Sequence, residues 1–201
     1  MDYREAARQF VPQTREDAAV RQIFLDVIRQ WGDVSLTREC ALFHFTSSAM
    51  VFDESFSHVL MAYHNIYQSW AWTGGHCDGE TRPLQTAMRE AREETGIRIL
   101  HPLSPLPVSL DILPVAAHEK RGRYVPPHLH LSFCYSFCAP QDQPLRERPE
   151  ENSGVGWVPL KELHSRVTEA EMLPIYDKII CRTLLELRAA KETHEQAVYT
   201  F

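Results

Sequence analysis

The segment that most constrains the fold is 70–100, WAWTGGHCDGETRPLQTAMREAREETGIRIL. It reads as a strand, a loop that carries glycines, and one short acidic helix that ends at Gly96. Pro83 suits the first turn of this helix, where a missing N–H breaks no intrahelical bond. Gly96 suits the C-terminal cap, which needs a left-handed backbone conformation. The segment therefore predicts a strand–loop–helix unit with well-defined helix ends.

Three glutamates of this helix, Glu90, Glu93 and Glu94, have spacings that place them on one helical face. An adjoining face is apolar and can pack against a sheet. Its members are Leu84, Ala87, Met88 and Ala91. Because neighbouring like charges repel, the acidic face favours a partner that neutralises it, and a hard divalent cation bound through carboxylate oxygens would do so. A solvated acidic face held by salt bridges is the alternative.

Composition narrows the class of protein. The 201 residues are enough for one domain with terminal additions, and 44% hydrophobic with 24% charged residues is typical of a soluble globular protein. The net charge of −6 argues against a general nucleic-acid binder. No run approaches the roughly 18 apolar residues of a membrane span, and the first residues lack a signal-peptide core. Five scattered cysteines without a CxxC pair fit a reducing compartment, so we expect a cytoplasmic protein. From the charge and the lack of a membrane span, we expect neither nucleic-acid nor membrane partners.

The two ends of the chain have helical patterns. Residues 4–31 show the apolar spacing of an amphipathic helix, so we interpret 1–40 as a helical extension. This extension packs on the main domain or on a second copy of the chain, which leaves a homodimer open. Residues 44–53 and 57–65 predict a β-hairpin. The main domain is expected to cover 41–201 and to include a C-terminal helix.

A cationic loop is predicted at 118–127, where Lys120, Arg121 and Arg123 surround a glycine. In a protein of negative net charge, such a loop is a candidate contact for an anionic substrate, and a solvated loop is the alternative. Trp72, on the strand that leads into the glycine loop, could stack on a nucleobase or simply fill the core.

Residues 128–138 alternate as a strand does, so His128 and His130 share one face. Two histidines of one strand can ligate a metal together. No cysteine or third histidine stands at zinc-finger spacing from them, however, and the sequence does not support a structural zinc site. We interpret both histidines as polar residues that line a substrate pocket.

The acidic helix and its loop carry a family resemblance. Residues 89–97, REAREETGI, are similar to the second half of the Nudix motif, which is Arg-Glu-apolar-any-Glu-Glu-any-Gly-apolar. The first half of that motif places a glycine at Gly75, which is present, and a glutamate at position 81, where this chain has Thr81. Glu80 lies one position before the place where the motif has its glutamate. The sequence thus resembles the Nudix hydrolases over about residues 44–165, with the motif at 75–97.

The resemblance implies a fold, a metal and a site. The fold would be an α/β/α sandwich around a mixed β-sheet, an α+β arrangement with helical additions at both ends. Mg²⁺ or Mn²⁺ would be held by Glu90, Glu93, Glu94 and the carbonyl group of Gly75. Arg89 would orient a carboxylate, and Glu151, with Glu150 behind it, would complete the site or act as the base.

The implied reaction is hydrolysis of a diphosphate linkage in a nucleoside diphosphate derivative, with water attacking phosphorus. The substrate would be a small nucleotide-type molecule, contacted by the cationic loop, the two histidines of 128–138 and Trp72. Two alternatives differ in class. One is a non-catalytic nucleotide-sensing module, because Thr81 replaces an acid. The other is an isopentenyl diphosphate isomerase, which needs a cysteine near the motif, where only Cys77 stands.

Overall fold

Two long strands form the middle of an eight-stranded mixed sheet. β1 (Phe43–Asp53) and β9 (His128–Ala139) pair in parallel along the whole of β1, and β1 is buried on both faces, as expected of a central strand. The other members are β2 (His58–His64), β3 (Ser69–Ala71), β4 (Thr73–His76), β5 (His101–Pro102), β6 (Ser109–Val115) and β10 (Asn152–Pro159). All of these pair antiparallel with their neighbours, in the order β10-β2-β1-β9-β5 with β3 beside β2, β4 beside β1 and β6 beside β9.

The computed structural model describes residues 1–120 and 122–198, without the side chains of Lys120 and 193–198. The helices are α1 (Tyr3–Gln9), α2 (Arg15–Trp31), α3 (Pro83–Thr95), α4 (Leu163–Arg166) and α5 (Leu173–Val198), with two short 3₁₀ turns at Gly32–Leu36 and Leu160–Glu162. Within the described ranges, every helix is too short or too polar to cross a bilayer.

Helices cover both faces of the sheet. Phe45 and Val51 point from β1 into a core shared with α1, α2 and α3, whereas Met50 and Phe52 point into a second core shared with α4 and α5. This division follows from the alternation of side chains along a strand. The structure is therefore the predicted α/β/α sandwich with a mixed sheet.

The N-terminal extension consists of two helices where the sequence pattern predicts one. Thr14 caps α2 with its side chain and forms a capping box with Asp17, so the chain breaks between α1 and α2. Pro12, just before the cap, has no N–H to continue a helix. Tyr3 and Phe24 are fully buried in the same core as Phe45, so this extension is packed into the main domain.

A second correction concerns the cationic segment, which is predicted as a loop. It forms a two-stranded hairpin of β7 (His118–Lys120) and β8 (Arg123–Val125), separate from the large sheet, with Lys120 opposite Arg123. Gly122 provides the positive φ of 72° at the turn. The short polar strands lack the apolar alternation by which a hairpin is found in sequence.

Candidate active site

The acidic helix α3 has the ends that its sequence predicts. Pro83 occupies its first turn, and Gly96 caps it in the left-handed conformation at φ 75°, with its N–H donating to the Arg92 carbonyl at 2.9 Å. Ala87 and Ala91 are fully buried against the sheet. Because the two small side chains let α3 approach β4 closely, Glu90 and Glu94 reach the backbone of that strand.

Two of these glutamates are buried against glycines of β4. A Cβ placed on Gly75 would lie 2.4 Å from the carboxyl carbon of Glu90, so only glycine fits beneath that carboxylate. The Glu94 carboxylate accepts a hydrogen bond of 2.8 Å from the N–H of Gly74. Glu90 and Glu94 are only 8% and 5% exposed. The strand–loop–helix unit thus holds two acids in a nearly closed space.

Burial disfavours the charged forms of both acids. It raises the pKa of Glu90, and the charge of Glu93 adds to this effect while Arg89 opposes it. Burial also raises the pKa of Glu94 to about 8, against the hydrogen bond from Gly74. A bound cation would favour the ionised forms of both acids. Carboxylate oxygens held in this way form a donor set that suits a hard divalent ion.

Two arginines bridge the carboxylates of the site. Arg89 Nη1 lies 2.8 Å from Glu90 Oε1 and 3.6 Å from Glu93 Oε2. Arg148 Nη1 lies 3.1 Å from the same oxygen of Glu93 and 3.4 Å from Glu151 Oε2. Glu151 therefore comes next to the helix glutamates from the loop before β10. Arg148 is a member of the site that the sequence interpretation missed, although RER at 146–148 was a visible cationic signal.

An open cleft of about 920 Å³ adjoins these acids. Glu93 and Val155 line it together with the segment 145–150, which supplies Arg146 and Arg148. The cleft thus combines carboxylates that suit a cation with arginines that suit an anion. This combination is what a metal-bound phosphate ester requires of its binding site.

Comparison with known proteins now identifies the family. A match to the NUDIX domain family covers residues 42–182, more than half of the chain. The chain belongs to the Nudix family. This confirms the predicted family and places the chain among the Nudix hydrolases, with the Nudix box at 75–97. No curated protein matches the sequence significantly.

Several solved Nudix structures are similar to this chain at low identity. A NUDIX family hydrolase from Clostridium perfringens is 19% identical, with 68% of this chain and 95% of that chain covered and a TM-score of 0.47. A binary complex of the Caenorhabditis elegans Ap4A hydrolase is 15% identical, with 72% and 98% covered and a TM-score of 0.46. The NUDIX domain of Shewanella oneidensis NrtR, complexed with ADP ribose, is 18% identical, with 69% and 87% covered and a TM-score of 0.48.

The loop of the Nudix box is anchored to the N-terminal extension. The Thr81 carbonyl accepts a hydrogen bond of 2.7 Å from the N–H of Tyr3, and the Gly79 N–H donates to the Leu36 carbonyl at 3.1 Å. Glu80 binds Arg82, with its Oε1 3.0 Å from the guanidinium Nε. Glu80 is thus engaged with a neighbouring residue of the loop.

The remaining predicted substrate contacts are dispersed. Arg123 is exposed on β8, Lys120 lies in β7, and Arg121 lies outside the described residues. Trp72 packs edge-on against Tyr176 of α5, with ring centres 5.3 Å apart. Their contact with substrate stays a prediction.

His128 and His130 lie side by side at the start of β9, with their Nε2 atoms 3.1 Å apart. His44 of β1 and His76 of β4 join them. The sequence interpretation missed these two because they come from distant strands. These four residues are called the histidine cluster below. One ring nitrogen of each lies within 4.8 Å of the others, a spacing at which they could hold a metal ion.

Proposed function

We propose that this protein is a metal-dependent hydrolase that cleaves a diphosphate linkage in a nucleoside diphosphate derivative. The observation that carries the proposal is the pair of buried acids, Glu90 and Glu94, held against Gly75 and Gly74 beside an open cleft. Burying two carboxylates with raised pKa values costs free energy of folding unless a bound cation compensates for it. We expect the reaction to take place in the cytoplasm.

The metal ligands would be Glu90, Glu93, Glu94 and the Gly75 carbonyl. Mg²⁺ or Mn²⁺ bound there would neutralise phosphate oxygens and lower the pKa of a bound water. Arg89 bridges Glu90 and Glu93, and so fixes the orientation of two ligands.

Protein side chains would perform the proton transfer and bind the substrate. Glu151 is half-exposed beside Glu93 and would accept the proton of the attacking water. Arg148, which lies between these acids, and Arg146 would contact the phosphates in the cleft. The cationic hairpin would supply further positive charge through Lys120, Arg121 and Arg123.

A substrate panel tests this proposal. The purified protein is incubated with nucleoside diphosphate sugars, ADP-ribose, dinucleotides, coenzyme A and nucleoside triphosphates, with Mg²⁺, with Mn²⁺ or with a chelator. We expect metal-dependent turnover of at least one compound. Glu93→Gln and Glu94→Gln should each reduce it by about 100-fold or more, as loss of an essential ligand does.

Glu54→Gln provides the matched control, because Glu54 is an exposed glutamate in the turn between β1 and β2. It should leave turnover unchanged. Equal turnover by the wild type and both box variants would overturn the site assignment. Binding of nucleotides without any turnover would instead support the non-catalytic sensing module, the alternative suggested by Thr81 in place of the glutamate of the motif.

A further inference from the structure

Four histidines from three adjacent strands meet on one face of the sheet. His44 of β1 pairs directly with His130 of β9, and His128 lies two positions before His130 on the same strand. His76 of β4 pairs with Thr46, which lies two positions after His44 on β1. One ring nitrogen from each of the four lies within 4.8 Å of the other three. The register of the sheet therefore builds this cluster without any loop.

Two of the rings have the hydrogen bonding of metal ligands. The Nδ1 atom of His44 lies 3.4 Å from the Cys40 carbonyl, and that of His128 lies 2.9 Å from the Pro126 carbonyl. A carbonyl only accepts, so each Nδ1 donates to it, and Nε2 is the ring nitrogen that remains for a metal ion. A backbone carbonyl that fixes the tautomer in this way is the usual outer partner of a metal-bound histidine.

One ring nitrogen of His44 is buried without a hydrogen-bond partner in the described part of the chain. His44 is 5% exposed, and its Nε2 has no hydrogen-bond partner among the described residues. Burial also lowers the pKa of His44, although its hydrogen bond to Cys40 acts in the opposite direction. A buried ring nitrogen without a hydrogen-bond partner costs free energy, which a metal ion at the centre of the cluster would recover.

We propose that His44, His76, His128 and His130 bind one divalent transition-metal ion, with zinc as the reference ion. Imidazole nitrogens suit zinc and its neighbours, whereas Mg²⁺ prefers oxygen. Tetrahedral zinc with bonds of about 2.0–2.1 Å separates its nitrogen ligands by roughly 3.4 Å. The Nε2 atoms of His128 and His130 lie 3.1 Å apart, and the four ligand nitrogens lie within 4.8 Å of one another, so small side-chain movements complete the shell.

This site is distinct from the carboxylates of the Nudix box. Side chains alternate along β4, and Gly75 faces Glu90, so His76 points to the opposite face of the sheet. Four protein ligands leave no open position, which is typical of a structural zinc site. The ion would fasten β4 to β1 and β9, and thereby fix the glycines that contact Glu90 and Glu94.

The first test measures metal content. Full-length protein without a histidine tag is stripped with a chelator, exposed to Zn²⁺ alone, desalted and measured by mass spectrometry of the metal. We expect about one zinc per chain, retained in excess Mg²⁺. His128→Ala, at the half-exposed start of β9, should weaken binding by about 10-fold or more. His101→Ala, an exposed histidine on β5, should bind as the wild type does.

Two further measurements keep the proposal independent of variant folding and of hydrolase activity. Co²⁺ added to the stripped wild-type protein should give the intense visible absorption of a tetrahedral site. Glu93→Gln/Glu94→Gln should retain full zinc binding, because those residues serve the other site. Zinc content below about a tenth of an ion per wild-type chain, or the weak spectrum of octahedral Co²⁺, would overturn the proposal. Equal zinc binding by wild type and His128→Ala would do the same.

Discussion

Arg182 Nη2 lies 2.5 Å from Asp17 Oδ2, in an ion pair between residues that are 5% and 2% exposed. Arg182 belongs to α5 and Asp17 to the first turn of α2, so the pair joins helices from the two layers that cover the sheet. Arg182 also donates to the carbonyl of Val108, next to β6. Helices at opposite ends of the chain are thereby locked around one edge of the domain.

Arg182→Met should lower the free energy of unfolding by about 3–5 kcal/mol, because it leaves a buried carboxylate without its counter-charge. Adding Asp17→Asn should recover part of this loss, since the charge is then removed as well. Urea denaturation measures both. Arg188→Met is the control: Arg188 pairs with Glu192 on the exposed side of α5, where a pair is worth about 0.5 kcal/mol. Equal costs for the two arginine variants would contradict the prediction.

Asp53 should make stability depend on pH. It is buried, which raises its pKa, but the Ser55 hydroxyl and the N–H groups of His58 and Ser57 outweigh burial and lower the pKa below its ordinary value. Its contribution is therefore complete above about pH 5 and is lost as pH falls through the lowered pKa. Asp53→Asn should cost about 1–3 kcal/mol at neutral pH.

This cost should shrink when unfolding is measured from about pH 5 down to about pH 3, because the wild type alone loses its carboxylate charge. A constant difference between Asp53→Asn and wild type over that range would show that Asp53 stabilises the turn through packing.

The two glycines of β4 should respond differently to alanine. At Gly75 the added Cβ would meet the Glu90 carboxylate, which is the end of a side chain and can move. Gly75→Ala should therefore fold normally but lose about 100-fold in kcat/KM, as displaced catalytic groups do. At Gly74 the Cβ would lie 2.9 Å from the Ser47 carbonyl oxygen and the Ser48 Cα, which cannot move easily.

Gly74→Ala should accordingly cost about 1–3 kcal/mol of stability. Thermal unfolding of both variants, together with their kinetics in Mg²⁺, separates the two effects. A large loss of stability in Gly75→Ala with unchanged kcat/KM would contradict the placement of Glu90.

Tyr3 should be needed for the stability of the whole domain. Its ring is fully buried 5.6 Å from that of Phe45, and its hydroxyl donates to Asp33 at 3.0 Å. Tyr3→Ala should cost about 3–5 kcal/mol, whereas Tyr3→Phe, which keeps the ring, should cost about 1 kcal/mol. Denaturation of both variants decides this. A negligible cost for Tyr3→Ala would show that the extension folds separately from the sheet.

Features that depend on local sequence were the predictable ones. Helix α3 has its stop signal at Gly96 and its start at Pro83, and the alternation that identified β9 is likewise local. The break before α2 was also readable, because Thr14 and Asp17 have the spacing of a capping box. The amphipathic pattern on both sides of the break concealed it.

Features that depend on strand pairing were not predictable. His44 and His76 carry no local signal that relates them to His128, and only the positions of β1 and β4 in the sheet bring the three together. The same holds for Arg148, which reaches Glu93 from a loop 55 residues away along the chain. A spacing motif finds ligands on one element, but it does not find those contributed by another.

The parallel pairing of β1 and β9 also has a consequence for folding kinetics. The Ser47 hydroxyl bonds to the Phe133 carbonyl across 86 residues, and no turn can join parallel strands directly. Closing so long a loop delays folding, since its entropy is lost before the contacts form. In a ribosome-bound chain that stops before β9, the Nudix helix is already synthesised, but the edge of β1 that pairs with β9 is still open. We therefore expect this domain to fold late, and truncated chains to aggregate through that edge.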